Sequence, residues 1–329
     1  MPTSLVTGGA GFIGSHIVDQ LLTIGHKVIV FDDLSGGRLE NVSTDAKFVK
    51  GSILDHDLLS ELFETHEIDY VYHLAAYAAE GLSHFIKRFN YQNNLTGSVN
   101  LINESVKHNI KCFVFTSSIA VYGNQTPPMS ESMVPQPEDS YGIAKYAVEL
   151  ELKASKEMFG LDYVIWRPHN VYGERQHISD PYRNVIGIFM NQLLHGESLS
   201  IFGDGSQTRA FSYVGEIVPL IAESAMNQEV YGETFNIGSE TEISVKALAK
   251  QVMKAMKLAS HINYLEARNE VKHAYANHDK VKRYFGGLQE TSLELGLQKM
   301  ADWAKKSSHQ PSKKFESLEL TKNLPPFWK

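Results

Sequence analysis

Two residues of this chain have the types and spacing for redox chemistry on an alcohol. Tyr141 and Lys145 stand four apart in Ser140-Tyr-Gly-Ile-Ala-Lys145, so a helix would turn both toward one side. A tyrosine of ordinary pKa, about 10, is a poor base at neutral pH, and burial pushes it higher. A lysine cation beside it, together with the positive ring of an oxidised nicotinamide, would stabilise the phenolate. Tyr141 could then take a hydroxyl proton as hydride leaves for the nicotinamide. Ser118, at the end of the apolar run Phe115-Thr-Ser-Ser118, would hydrogen-bond the same oxygen as a positioning donor rather than a nucleophile. The spacing alone arises readily by chance, and a surface helix with Ser118 satisfied by backbone is the competing reading. A cofactor site must therefore carry part of the argument.

The segment Ser4-Leu-Val-Thr-Gly-Gly-Ala-Gly-Phe-Ile-Gly-Ser-His16 supplies one: an apolar strand pattern, a turn with Gly8, Gly11 and Gly14, and a helix pattern. Glycines let backbone approach a pyrophosphate, and the N–H groups and dipole of the helix start favour its charge. Phe12 and Ile13 belong to the same turn. Asp32 follows Gly14 by eighteen residues at the end of a second strand pattern, where an acid accepts hydrogen bonds from ribose hydroxyls. Asp32 and Asp33 together would repel a 2′-phosphate, which favours NAD; Arg38 nearby keeps NADP open. Further along, Gly51-Ser-Ile-Leu-Asp55 places Ile53 and Asp55 in the cofactor set, Asp55 meeting the adenine amine or else capping a helix. Leu74, Ala75 and Ala76 give small residues beside the cofactor, and Asn94 completes the set.

The elements that must position these groups alternate along the first half. Strand patterns at Ser4–Thr7, Lys27–Asp32, Tyr70–Leu74, Cys112–Ser117 and Tyr163–Pro168 are separated by amphipathic stretches at Ile13–Leu22, Asp57–His66, Asn93–His108 and Tyr146–Phe159. This predicts an α/β fold, a doubly wound parallel sheet of the Rossmann kind, with a smaller mixed α/β C-terminal substrate lobe. Function should sit at the carboxyl ends of the strands. Residues 1–175 are expected to form the NAD-binding domain, with 209–238 returning to it. Residues 176–208 and 239–310 form the substrate lobe, with helix patterns at Ile186–His195, Val214–Met226 and Val245–Met256 marking the second half. Residues 311–329 form a tail, ending in Pro325-Pro-Phe-Trp328, that is either frayed or docked as a strap by its aromatics.

With 329 residues, 43% of them hydrophobic, the chain can bury a substantial core. A net charge of −7 argues against nucleic-acid or anionic-membrane partners. Its single cysteine, Cys112, lies in an apolar run, so no disulfide is expected and burial is the simpler role. No leader or membrane-length apolar span is evident, which suggests a cytoplasmic protein. Scattered histidines without metal-ligand spacing give no expected metal; His73 and His169 read as polar cleft wall.

These motifs in this order resemble the extended short-chain dehydrogenase/reductases, especially UDP-glucose 4-epimerases and their NAD-dependent epimerase/dehydratase relatives. The resemblance runs from Thr7–Gly14 through Tyr141–Lys145 and Arg167-Pro-His-Asn-Val-Tyr-Gly173 to Gly203-Asp-Gly-Ser-Gln-Thr-Arg209 and Phe235-Asn-Ile-Gly238. It implies that Asn170 touches a substrate diphosphate, that Arg209 and Arg268 neutralise it, that Phe202 lies near the nucleotide base and that Tyr275 shapes the sugar pocket. Paired guanidiniums suit a diphosphate, although either arginine could be a plain surface charge. Ala210 and Gly215 depart from the pattern, which usually has acids there. The resemblance also implies a homodimer joined through the helices at Asn93–His108 and Tyr146–Phe159.

Oxidation at C4 of a nucleotide sugar leads to re-reduction from the other face, or to elimination or decarboxylation where extra acid–base groups exist. Related dehydratases place Asp-Glu after the strand-end hydroxyl and related decarboxylases a Glu; here Ile119-Ala120 follows Ser118. The expectation is therefore a nucleotide-sugar 4-epimerase with tightly held NAD and a UDP-hexose substrate. An oxidoreductase releasing NAD(P)H each cycle and a non-catalytic NAD-binding regulator remain as alternatives.

Overall fold

The structure, a computed structural model, describes residues 1–267, 272–287, 290–307 and 315–328. In the first half β1 (Thr3–Thr7), α1 (Phe12–Thr23), β2 (Lys27–Asp32), β3 (Lys47–Lys50), α2 (His56–Thr65) and β4 (Tyr70–His73) follow in order. After them come the short helices α3 (Glu80–Ser83) and α4 (Lys87–Tyr91), then α5 (Gly97–Lys107), β5 (Cys112–Thr116), α6 (Ser140–Phe159) and β6 (Tyr163–Pro168). The second half adds β7 (Val171–Tyr172), α7 (Val185–Leu194), β8 (Leu199–Phe202), β9 (Thr208–Ala210), β10 (Ser212–Tyr213), α8 (Val214–Ser224) and β11 (Thr234–Ile237). It closes with β12 (Glu242–Ser244), α9 (Val245–Met256), β13 (Ile262–Leu265), β14 (His273–Ala274), α10 (Asp279–Phe285) and α11 (Leu293–Lys306).

Seven parallel strands in the order β11-β6-β5-β4-β1-β2-β3 form the main sheet. Helices cover both faces, so the central strands read as unbroken apolar runs; all five residues of β5 are buried. Cys112 lies inside that strand with no exposure, and burial holds its thiol far above the usual range. The winding leaves β1 toward β2 and β3 on one side and resumes at β4 on the other, so a crevice opens beyond the carboxyl ends of β1 and β4. One apolar cluster packs Leu59, Phe63, Leu101 and Leu152 against one sheet face. The other cluster runs from Val6, Val30 and Trp166 under the opposite face into Phe189, Ile201, Leu248 and Met300. The small sheets β12-β9-β14 and β13-β8 are thereby packed onto the same core as the large one. β11 pairs with β6 although sixty-odd residues separate them, bringing Phe235 and Asn236 to the sheet edge. Among the described residues no helix is long and apolar enough to cross a membrane.

Candidate active site

A cavity of about 1680 Å³ runs along the carboxyl ends of the strands into the second lobe. Single-ligand pockets span about 300–1,000 Å³, so this one has room for two ligands end to end. Its walls include Gly8, Gly11, Phe12, Ile13, Gly14, Asp32, Asp33, Ile53, Leu74, Ala75 and Ala76 from the cofactor set, and Ser118, Tyr141, Lys145, Asn170, Phe202 and Arg209.

At the glycine turn, Gly8 has φ +70°, and a Cβ there would lie 2.7 Å from the Ala75 amide N, so the turn sits directly on the end of β4. A Cβ on Gly14 would collide with the Gly8 carbonyl oxygen. The N-cap of α1 is Gly11, which offers no side-chain cap, and the amides of the first turn are left to serve an anion. Asp32 ends β2 with 7% exposure; its Oδ2 accepts from Ala10 N–H (3.0 Å) and its Oδ1 from Leu34 N–H (2.8 Å). Burial raises this carboxyl, and the two amides oppose the rise. Arg38 pairs with Glu40 at 3.2 Å and is not part of the cavity wall. This backbone cradle with an acid beyond it fits a dinucleotide pyrophosphate and ribose.

The candidate catalytic group is built by α6. Asp139 caps it, accepting from Tyr141 N–H and Gly142 N–H at 2.9 Å each, and Ser83 Oγ of α3 accepts from Tyr141 N–H at 3.2 Å. The Tyr141 phenol and Ser118 both line the cavity wall. Burial is the main force raising the phenol above its ordinary value; Glu80 adds to it, and Ser118 opposes it. Lys145, 3% exposed, donates from Nζ to Thr116 O at 2.8 Å and stands 5.8 Å from the Tyr141 ring centroid. Burial draws its ammonium down to about 7, with Glu149 pulling the other way.

Glu149 was not anticipated. It lies one further turn along the same face of α6, and its carboxylate takes Ser117 Oγ at 2.5 Å and a two-pronged Arg167 guanidinium. Arg167 Nη1 reaches Tyr122 OH (2.8 Å), which donates to Asn236 (2.8 Å). This buried chain ties α6, β5, β6 and β11 together behind the catalytic pair. An acid at i+4 from Lys145 on an otherwise apolar face was its only sequence signal.

Several expected contacts fall elsewhere. Asp55 is exposed, caps α2 with its Oδ1 by accepting from Leu58 N–H (3.1 Å), and is not in the wall. Asn94 is 1% exposed and uses its amide on Tyr77 N–H, Tyr77 O and Asn90 Oδ1, so it bolts the loop after β4 and leaves Asn93 to face the cavity. Tyr275 gives its carbonyl to Met129 N–H, and its neighbour Ala274 faces the cavity instead. His73 and His169 lie behind the wall, 1% exposed each; His73 bonds Thr7 Oγ1 (2.7 Å) and Ser98 Oγ (2.8 Å), and His169 bonds His278 (3.0 Å). Arg268 lies outside the described residues. Asn170 adopts φ 43° and donates to Ala210 O (3.1 Å), and Arg209 Nη1 is steadied by Thr208 O and Lys272 O.

The family model described as the NAD dependent epimerase/dehydratase family matches residues 4–238. A putative UDP-glucose 4-epimerase of Methanocaldococcus jannaschii is 35% identical over 309 residues, 92% of this chain and 99% of its own length. A UDP-N-acetyl-alpha-D-glucosaminuronate decarboxylase of Bacillus cytotoxicus is 32% identical, with 91% of this chain and 96% of its own length covered. The solved UDP-glucose 4-epimerase of Thermotoga maritima, with UDP-glucose, is 36% identical at a TM-score of 0.87, covering 92% of this chain and 99% of that one. The matched span and the relatives agree: this chain belongs to the NAD dependent epimerase/dehydratase family, and its cofactor is NAD.

Proposed function

We propose that this chain is a nucleotide-sugar 4-epimerase acting on a UDP-hexose such as UDP-glucose or UDP-galactose, with NAD retained through the cycle. Residues 1–175 and 209–238 would hold NAD, and 176–208 with 239–310 the nucleotide sugar. One observation carries the reading: Ile119 and Ala120, apolar residues of the cavity wall, directly follow Ser118, where elimination or decarboxylation would need a second acid or base.

Bound NAD supplies a hydride acceptor that becomes the donor on return. Tyr141 takes the proton of the sugar hydroxyl and gives it back, Ser118 hydrogen-bonds the same oxygen, and Lys145, fixed on Thr116 O, places positive charge behind the phenol. Asn170 and Arg209 anchor the diphosphate while the sugar turns. Glu80 is a carboxylate of the same cavity wall, which supports elimination as a second reading in which Glu80 would be the added base.

The test is incubation with UDP-glucose, UDP-N-acetylglucosamine and UDP-glucuronate without added cofactor, resolving products while recording NADH absorbance. A 4-epimer without net NADH is expected. Loss of water from the sugar would select the second reading, and NADH accumulating only after NAD is added, with no inversion, would overturn the first in favour of a dehydrogenase.

A further inference from the structure

The segment 315–328 lies along the cavity wall against α3, α4 and Tyr182 and is held there on several independent contacts. Glu319 accepts from Arg88 N–H (2.8 Å) and Phe89 N–H (2.9 Å), and its own N–H donates to Phe85 O (2.9 Å). Phe315 N–H donates to Tyr182 OH (3.2 Å), and its ring meets Phe89 at 5.1 Å. Trp328, 5% exposed, packs on Tyr182 at 5.2 Å and against Gly81, where a Cβ would lie 3.0 Å from its ring. The elements it grips are those that seat the catalytic helix: Ser83 of α3 bonds Tyr141 N–H, and Asn90 of α4 donates to Ser140 O at 2.7 Å. Phe315, Lys322, Asn323 and Trp328 also form part of the cavity wall.

Gly81 has the meaning of a close approach here, since any side chain would displace the Trp328 ring. The nucleotide end of the cavity, at Phe202 and Arg209, and the cradle at Gly8–Gly14 are formed by other elements. The strap therefore closes the side of the cavity formed by α3, α4 and Tyr182, next to the start of α6 that carries Tyr141.

We propose that the C-terminal strap is the retaining wall of the sugar pocket, with Trp328 and Glu319 as its positioning residues, and that it keeps the ketose intermediate from leaving between the two hydride transfers. This rests on the 4-epimerase reading. The first half-reaction breaks C4–H and O4–H, sending the electron pair and hydrogen to NAD and the proton to Tyr141. A ketose that escapes leaves one NADH and one protonated Tyr141 per loss, with no product epimer. Closing a site against water and intermediate loss is a known use of such segments.

The experiment compares the full chain with Trp328→Ala, Glu319→Ala and a chain ended at Ser307, each on the UDP-hexose that the full chain epimerises. The readout is NADH formed and free 4-ketose released per epimer produced, a ratio from which the folded fraction cancels. It should rise on the order of tenfold or more in the variants, while the NAD content of the purified proteins is unchanged. Acrylamide quenching of bound NADH fluorescence, which reads water access without turnover, should rise in parallel. An unchanged ratio and unchanged quenching in both point variants would overturn the strap's role while leaving the epimerase reading intact. No epimer from the full chain on any UDP-hexose would remove both.

Discussion

Tyr141 is buried with Lys145 Nζ 5.8 Å from its ring centroid, and burial holds its phenol above the ordinary range. Tyr141→Phe should lower kcat by roughly 10²–10⁴-fold, the usual span for a positioned acid–base group, and leave KM for the nucleotide sugar nearly unchanged. Steady-state kinetics with the competent UDP-hexose checks this. Three histidines away from the chemistry make a separate prediction. Burial holds His73 and His169 down to about 3 and His278 to about 4, with the Lys145, His278 and Lys282 charges lowering them respectively. Each ring is thus neutral when folded at neutral pH but takes a proton in the unfolded chain near pH 6.5. The unfolded state binds more protons below that pH, so stability is complete above about 6.5 and is lost as pH falls toward 4, by up to about 1.4 kcal/mol per pH unit per ring. Urea unfolding between pH 7.5 and 4.5 should show this slope, and His278→Gln, which keeps a hydrogen-bonding group opposite His169, should flatten it by one ring's share.

At the level of elements, the two ends of α1 and α6 nearest the strands matter most. In Gly14→Ala the new Cβ would meet backbone, with the Gly8 carbonyl carbon at 2.8 Å and Gly9 Cα at 3.0 Å, so the turn must move and the cradle opens. NAD affinity should fall on the order of 100-fold, the scale of a misplacement near 1 Å, measurable by calorimetry on cofactor-stripped protein. Asp139→Ala removes the cap of α6 and should cost about 1 kcal/mol of stability. It should also reduce kcat, because the two amides it holds belong to Tyr141 and Gly142. Strands β1, β2, β4, β5 and β6 and helices α1, α2 and α5 to α9 were legible from alternation and apolar periodicity, with α6 running on from the Ser140–Lys145 segment; strands β3 and β11 and the helix α11 were not singled out. The short helices α3 and α4 were not: four and five residues are too few to show a period.

Over the whole molecule, the outer face of α6 carries Ile143, Leu150 and Met158 at 43%, 50% and 74% exposure, seven and eight residues apart and so on one stripe. We propose that this stripe joins two copies of the chain. Sedimentation should give a dimer that Ile143→Asp with Leu150→Asp converts to a monomer with NAD content retained; a monomeric parent chain would refute it. The amino-acid sequence by itself determined the glycine cradle, Asp32, the Tyr141–Lys145 pair with Ser118, and the parallel sheet that carries them. These are written in neighbouring residues, through turn chemistry, helical spacing and strand patterning. Only the tertiary structure decided that Asp55 caps a helix, that Asn94 is spent on Tyr77, that Ala274 and not Tyr275 faces the cavity, and that Glu149 and Arg167 brace the catalytic helix. It also decided between a frayed tail and a docked strap: Glu319 binds Arg88 and Phe89 across 231 and 230 residues of chain. Such partners meet only when distant segments pack, and that leaves no local pattern to read.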